Sequence, residues 1–303
     1  MPGNNRSLLG KISEDLEADR MFFLKKKITK EKIESRILLI IKKIVHLFGK
    51  RKSSVIPIFI MGYGRSGSTM LFKIFDRDIR LSAFGENHPA VAEKFILNYD
   101  LLQKTVKNSK TKIIVCKPIL NSFEIKKLIS KYPNGIYIWL VRDFQDVVSS
   151  AIKKFGNLVA EHLKDYILYE SGENWISNGL SNETKIRIQN ISKSNHLDSE
   201  DWMALVWWAV NSTIFNEELY KLSNLFVVRY EDLVSNPTPF LKNVYRRTGI
   251  SYHNYLGKYV HKKSVGKGKQ LKLNKNVFEL CTDLNTKIEA ILDYREKKGG
   301  AMS

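Results

Sequence analysis

The feature that most constrains this chain is a junction near its first quarter. Seven mostly apolar residues, Val55-Ile56-Pro57-Ile58-Phe59-Ile60-Met61, run directly into Gly62-Tyr63-Gly64-Arg65-Ser66-Gly67-Ser68-Thr69 and then into Met70-Leu71-Phe72. A short apolar run closed by glycine reads as a buried strand, and the residues after the turn read as the first turn of a helix. The spacing is that of a phosphate loop, G-x-x-x-x-G-x-[ST]. Its glycines let the backbone curl so that successive N–H groups converge on one anion, and the helix start adds about half a positive charge. Gly64, Arg65, Ser66, Gly67, Ser68 and Thr69 are therefore candidate anion-binding residues. Ser68 stands where a nucleotide triphosphatase carries the Lys that spans its outer phosphates, so the loop suits one phosphate or sulfate group better than a triphosphate.

The rest of the chain follows the same alternation. Apolar runs at 55–61, 81–84, 112–116, 136–141 and 225–228 predict strands. Helices are expected near 67–77, from Pro89, after Cys116 with Asn121 and Glu124 as a capping box, near 145–155 and over 200–222. Strands alternating with helices make a parallel sheet covered on both faces, with ligands beyond the carboxyl ends of the strands. Pro57 cannot donate to a ladder and has to sit near the strand's start or edge. Residues 156–200 are polar and poorly periodic and read as an insertion or lid.

Composition narrows the partners. The 303 residues carry a formal charge of +19. Residues 1–54 hold fourteen bases and six acids, and residues 258–275 hold seven Lys and no acid, so 15 of those charges are local. Local basicity argues against a chain-wide nucleic-acid footprint and for specific anion contacts. Within residues 1–54, Ile33, Ile37, Ile41, Ile44 and Phe48 recur at helical spacing among Lys and Arg and end at Gly49. This amphipathic helix either docks on a core or, through residues 31–50, makes peripheral contact with an anionic membrane. No apolar run approaches the ~20 residues of a membrane span, and the first thirty residues lack a signal peptide's apolar centre. With Cys116 and Cys281 alone, a reducing cytoplasm is expected.

A second anion site is legible after the fourth strand, in Val141-Arg142-Asp143-Phe144-Gln145-Asp146-Val147-Val148-Ser149-Ser150. Arg142 would leave the strand's carboxyl end, with Ser150 and Lys154 one helical turn apart on one face. Taken together, GYGRSGSTML, IWLVRDFQDVVSS and VVRYEDLVSNP, in that order, resemble the sulfotransferases that use 3′-phosphoadenosine 5′-phosphosulfate (PAPS). The resemblance covers roughly residues 55–297. It implies a P-loop NTPase-like three-layer sandwich over 55–303, with PAPS as donor, adenosine 3′,5′-bisphosphate (PAP) as product and no catalytic metal. It also implies that Arg65 to Thr69 hold the 5′-phosphosulfate end and that Arg142 and Ser150 hold the 3′-phosphate. Lys154 would add charge there, Tyr230 would lie near the nucleotide, and the basic loop 261–269 would close over it through Ser264 and Lys267. Gly268 departs from the aromatic residue often found in that loop.

Sulfuryl transfer needs a base near the acceptor and cations for the charge that develops on the transferring and leaving oxygens. Glu86 follows the short second strand and is the preferred base, since tyrosylprotein and many carbohydrate sulfotransferases have a Glu in this setting. His88 is the rival base. Lys117, at the end of the third strand, resembles the family's Lys in K-x-P that reaches the leaving oxygen. The expected reaction is in-line transfer to a hydroxyl or amine of a glycan, lipid, peptide or metabolite, with Arg65 and Lys117 stabilising charge. The competing readings are a P-loop nucleotide kinase or NTPase and a non-catalytic basic protein that binds membrane or nucleic acid.

Overall fold

A computed structural model of the chain describes residues 37, 38, 40–42, 48–171, 174–260, 265, 266 and 268–300. The chain divides into two units, Met1–Phe48 and Gly49–Ser303. In the first, residues 37, 38, 40–42 and 48 are helical, while Ile33 and Ile44 of the expected amphipathic stripe lie outside the described residues. Among the described residues no helix is long and apolar enough to cross a membrane.

The second unit is built on five parallel strands: β1 (Ile56–Gly62), β2 (Ser82–Phe84), β5 (Ile113–Cys116), β6 (Ile136–Val141) and β7 (Leu225–Arg229), in the order β2-β5-β1-β6-β7. A two-stranded antiparallel hairpin, β3 (Ala92–Glu93) and β4 (Ile96–Leu97), stands apart from the sheet. In β1 and β6 both alternating sets of side chains are apolar, because a parallel sheet is buried on both faces. Phe59, Met61, Tyr137 and Trp139 pack on one side. Ile58, Ile60, Ile136, Ile138 and Leu140 pack on the other. Pro57 is accommodated because it faces Ile114 of β5 on one side, while the β6 ladder begins only at Ile58.

The helices are α1 (Ser68–Asp76), α2 (Tyr99–Lys107), α3 (Ile125–Lys131), α4 (Phe144–Phe155), α5 (Leu158–Tyr169), α6 (Asn182–Ser194), α7 (Ser199–Asn216), α8 (Tyr230–Ser235), α9 (Pro237–Thr248) and α10 (Lys275–Gly300). Leu71, Ile74 and Phe75 of α1, with Leu241, Val244 and Tyr245 of α9, cover one face of the sheet. On the other face α7 is the central helix, buried almost all round from Asp201 to Ile214 and opened by an Asp198–Asp201 capping box.

Two local expectations are corrected. No helix opens at Pro89. His88 Nδ1 accepts the Ala90 N–H in a turn, and the chain enters the β3–β4 hairpin with Lys94 and Phe95 both in the left-handed region that such tight turns require. Asn121 and Glu124 form no capping box. They lie in a 3₁₀ segment, Ile119–Glu124, where Asn121 Oδ1 accepts the Leu97 N–H and Asn121 Nδ2 donates to Glu124. Residues 156–200, expected to form an insertion or lid, hold α5 and α6. The buried Ala160, Leu163, Ile167 and Ile188 of these helices join the core around α7.

Candidate active site

The turn between β1 and α1 is shaped by close approaches. Gly67 is the N-cap of α1, with φ 93° and no capping side chain. A Cβ there would lie 2.3 Å from the Tyr230 ring, so only glycine fits. With no capping side chain at Gly67, the first-turn N–H groups of α1 are left to an outside acceptor. The strand end is tied by Ser122, whose Oγ accepts the Gly62 N–H at 3.0 Å and lies 2.9 Å from the Gly62 carbonyl oxygen. Ser66 is fully buried, and its Oγ has no hydrogen-bond partner among the described residues. No atom lies within 4 Å of where a Cβ on Gly64 would stand. An orphaned hydroxyl, an uncapped helix start and open space beside Gly64 fit an anionic group.

The second candidate anion site lies against the same turn. The β1–β6 register pairs Gly62 with Leu140, which brings Arg142 out beside the turn. Arg142 Nη1 donates to the Arg65 carbonyl at 3.4 Å, and Arg65 Nε donates to Ser150 Oγ at 3.0 Å. Arg65 spans the gap from a left-handed backbone, φ 72°. Arg142 is only 7% exposed. Its guanidinium lies 4.6 Å over the Tyr230 ring and its Nη2 donates to Asp146 at 2.8 Å, while its carbonyl accepts the Trp207 indole N–H at 3.2 Å. Asp143 caps α4 by accepting the Gln145 and Asp146 N–H groups. Burial opposes charge on Asp146, but Arg142 and two backbone amides outweigh it and hold its carboxyl below the usual range.

A third group of residues gathers at the carboxyl edge of β2 and β5. Lys117 Nζ forms an ion pair with Glu86 Oε1 at 2.7 Å and donates to Thr69 Oγ1 at 2.9 Å. Lys117 is thus the link between the β1 turn and Glu86. The pair is asymmetric, with side-chain exposures of 9% for Lys117 and 32% for Glu86.

Glu86, Lys117 and Thr69 are therefore linked by contacts, as are Arg65, Arg142, Ser150, Tyr230 and Gly67, with Gly64, Ser66 and Ser68 in the turn that joins the two groups. Tyr230 sits between Gly67 and Arg142 and is only 4% exposed. His88 is not joined to this set; its ring stacks edge-on to Phe84 at 4.9 Å while Nδ1 serves the turn. Lys154 is exposed and makes no hydrogen bond or ion pair with a described residue. Ser264 and Lys267 lie outside the described residues. Sequence reasoning missed Asp146, whose spacing of four from Arg142 was the available signal. It also missed Ser122 and Trp207, for which there was none.

A profile of the Sulfotransferase family matches residues 92–254, more than half of the chain. The match spans Lys117, Arg142, Ser150 and Tyr230 and begins beyond the β1 turn and Glu86. Similar solved structures include the sulfotransferase domain from the curacin biosynthetic pathway, at 16% identity and a TM-score of 0.45, covering 78% of this chain and 99% of that one. Another is the sulfotransferase domain of the Synechococcus PCC 7002 olefin synthase, at 16% identity and a TM-score of 0.42, covering 78% and 98%. A third is a mouse sulfotransferase complexed with PAP, at 16% identity and a TM-score of 0.40, covering 75% and 71%. No functionally curated protein matches the sequence significantly.

Proposed function

The chain belongs to the sulfotransferase family, and we propose that it takes its sulfuryl group from PAPS and delivers it to a hydroxyl or amine of a glycan, lipid, peptide or metabolite. The observation that carries this reading is the bridge made by Arg65. Its carbonyl meets Arg142 and its side chain meets Ser150, so the residues proposed for the two phosphorylated ends of one ligand adjoin.

On this reading Gly64 to Thr69 hold the 5′ end, with the α1 amides and Ser66 Oγ as donors. Arg142, Ser150 and the exposed charge of Lys154 serve the 3′-phosphate. Tyr230 acts from behind, holding the Arg142 guanidinium against the turn. The donor supplies an activated sulfuryl group. Glu86 takes the acceptor's proton, and Lys117, carried on β5 beside Thr69, faces the charge that develops on the leaving oxygen, with Arg65 on the transferring oxygens. Preplaced cations in a partly dry cleft need no reorganisation as that charge appears. Glu86 is favoured over His88 because it is the carboxylate bound to Lys117, whereas His88 is occupied in the turn.

Cys116 and Cys281 are free, buried thiols, which suits a cytosolic enzyme. The basic segment 31–50 offers a means of peripheral attachment to anionic lipid if the acceptor is presented at a membrane. The reading is tested by incubating the protein with ³⁵S-labelled PAPS and a fractionated host extract. It expects one component to acquire label and PAP to be released in equal amount. Thermal stabilisation by Mg-ATP but not by PAP, with no label transferred, would overturn it in favour of a kinase or NTPase.

A further inference from the structure

We propose that Asp146 is a positioning residue that clasps Arg142, Gly266 and Gly268 together and so sets the affinity for the 3′-phosphorylated end of the nucleotide. The inference rests on the nucleotide reading above and extends it to a residue that touches no ligand.

A carboxylate offers about four lone-pair positions on two oxygens. On Asp146 three of them are spent on partners far apart in the chain. Oδ2 accepts from Arg142 Nη2 at 2.8 Å and from the Gly266 N–H at 3.0 Å, and Oδ1 accepts from the Gly268 N–H at 2.5 Å. The loop can come this close only without a side chain. A Cβ on Gly268 would stand 2.6 Å from Asp146 Oδ1 and 2.9 Å from Asp146 Cα. Any side chain at this position would push the loop away from Asp146. The neighbouring Ser149 Oγ donates to the Lys269 carbonyl at 3.3 Å, a second tie between α4 and the same loop. Beyond it, the Lys272 and Asn274 N–H groups donate to Glu200 and Asp201 at the start of α7.

Electrostatics alone would make a carboxylate beside a phosphate site unfavourable, since it neutralises part of the Arg142 charge. What it supplies is geometry. Arg142 is held over the Tyr230 ring, tied to Asp146 through Nη2 and to the Arg65 carbonyl through Nη1, and Gly266, Gly268 and Lys269 are held beside it by hydrogen bonds of their backbone groups.

The test uses the full chain and calorimetric titration with PAP, with thermal unfolding to confirm that each variant is folded. Asp146→Asn and Gly268→Ala should each weaken PAP by about tenfold or more, the lower end of what a lost charge-assisted hydrogen bond does. The double variant should be no weaker than Asp146→Asn by more than about twofold, because both changes break one clasp. In nucleotide-free Asp146→Asn, hydrogen exchange at the Gly266 and Gly268 amides should accelerate while the α7 amides stay protected. Arg142→Ala in the same titration separates the two claims. If it binds PAP like the unaltered chain, the nucleotide reading fails. If it weakens PAP while Asp146→Asn and Gly268→Ala bind as well as the unaltered chain or better, the clasp alone is overturned.

Discussion

The two ends of the cleft hold their cations on different terms. Lys117 is paired with a carboxylate that is about one-third exposed, and its other partner is a hydroxyl on an exposed residue, Thr69. Arg142 lies over an aromatic ring, and the carboxylate beside it is as buried as the guanidinium itself and holds two backbone amides as well. An ion pair that water reaches contributes little and exchanges partners easily. Removing one partner of a buried pair is costly, because the other charge is left buried and uncompensated. The Glu86 end is therefore suited to changing partners during a reaction, and the Arg142 end to staying as it is.

Removing the carboxylate at the exchangeable end should give the largest effect. Glu86→Ala is expected to lower the rate of label transfer by about 10²-fold or more, the usual contribution of a positioned base. Its affinity for PAP should not fall, because Arg142 and Ser150 are untouched. Near-normal transfer in that variant, together with a dead His88→Ala, would move the base to His88.

The hinge between the two ends is Gly67, packed on the same Tyr230 ring that supports Arg142. Gly67→Ala places a Cβ against that ring at a left-handed backbone position, and it should cost roughly 1–3 kcal/mol of stability in a denaturant titration. An unchanged unfolding midpoint would mean that the turn and the ring are not packed as described.

A smaller effect sharpens the contrast through pH. Because the carboxyl of Asp146 is held below its ordinary range in the folded chain, its contribution to stability is present above that range and is lost as pH falls through the depressed value. The difference in melting temperature between the unaltered chain and Asp146→Asn should be flat from pH 7 to 5 and shrink in stronger acid. A difference that instead grows on acidification would show that burial, not Arg142 and the two amides, dominates the site.

How much of this was legible in the sequence follows from how local each feature is. The β1 turn is specified within eight residues, and β1, β6 and β7 follow apolar runs, so the fold class and the course of that turn could be read directly. Lys117 and Glu86 were placed at the right sheet edge, but their pairing depends on β2 lying beside β5. The Pro89 helix failed because His88 closes a turn with its own ring nitrogen. The Asn121–Glu124 box failed because Asn121 is claimed by Leu97, twenty-four residues away. Helices α5 and α6 were hidden by a polar surface composition, although their buried positions join the main core. Asp146 escaped notice because two of its three partners lie about 120 residues further along the chain.

The central claim is that one adenosine nucleotide is held at both phosphorylated ends, and a paired calorimetric titration tests it most directly. PAP and adenosine 5′-phosphate are each titrated into the unaltered chain and into Arg142→Ala. The account predicts that Arg142→Ala loses about 1.5–3 kcal/mol of affinity for PAP and none for the 5′-monophosphate. Equal affinity of both proteins for PAP, or an equal loss for both ligands, would contradict it.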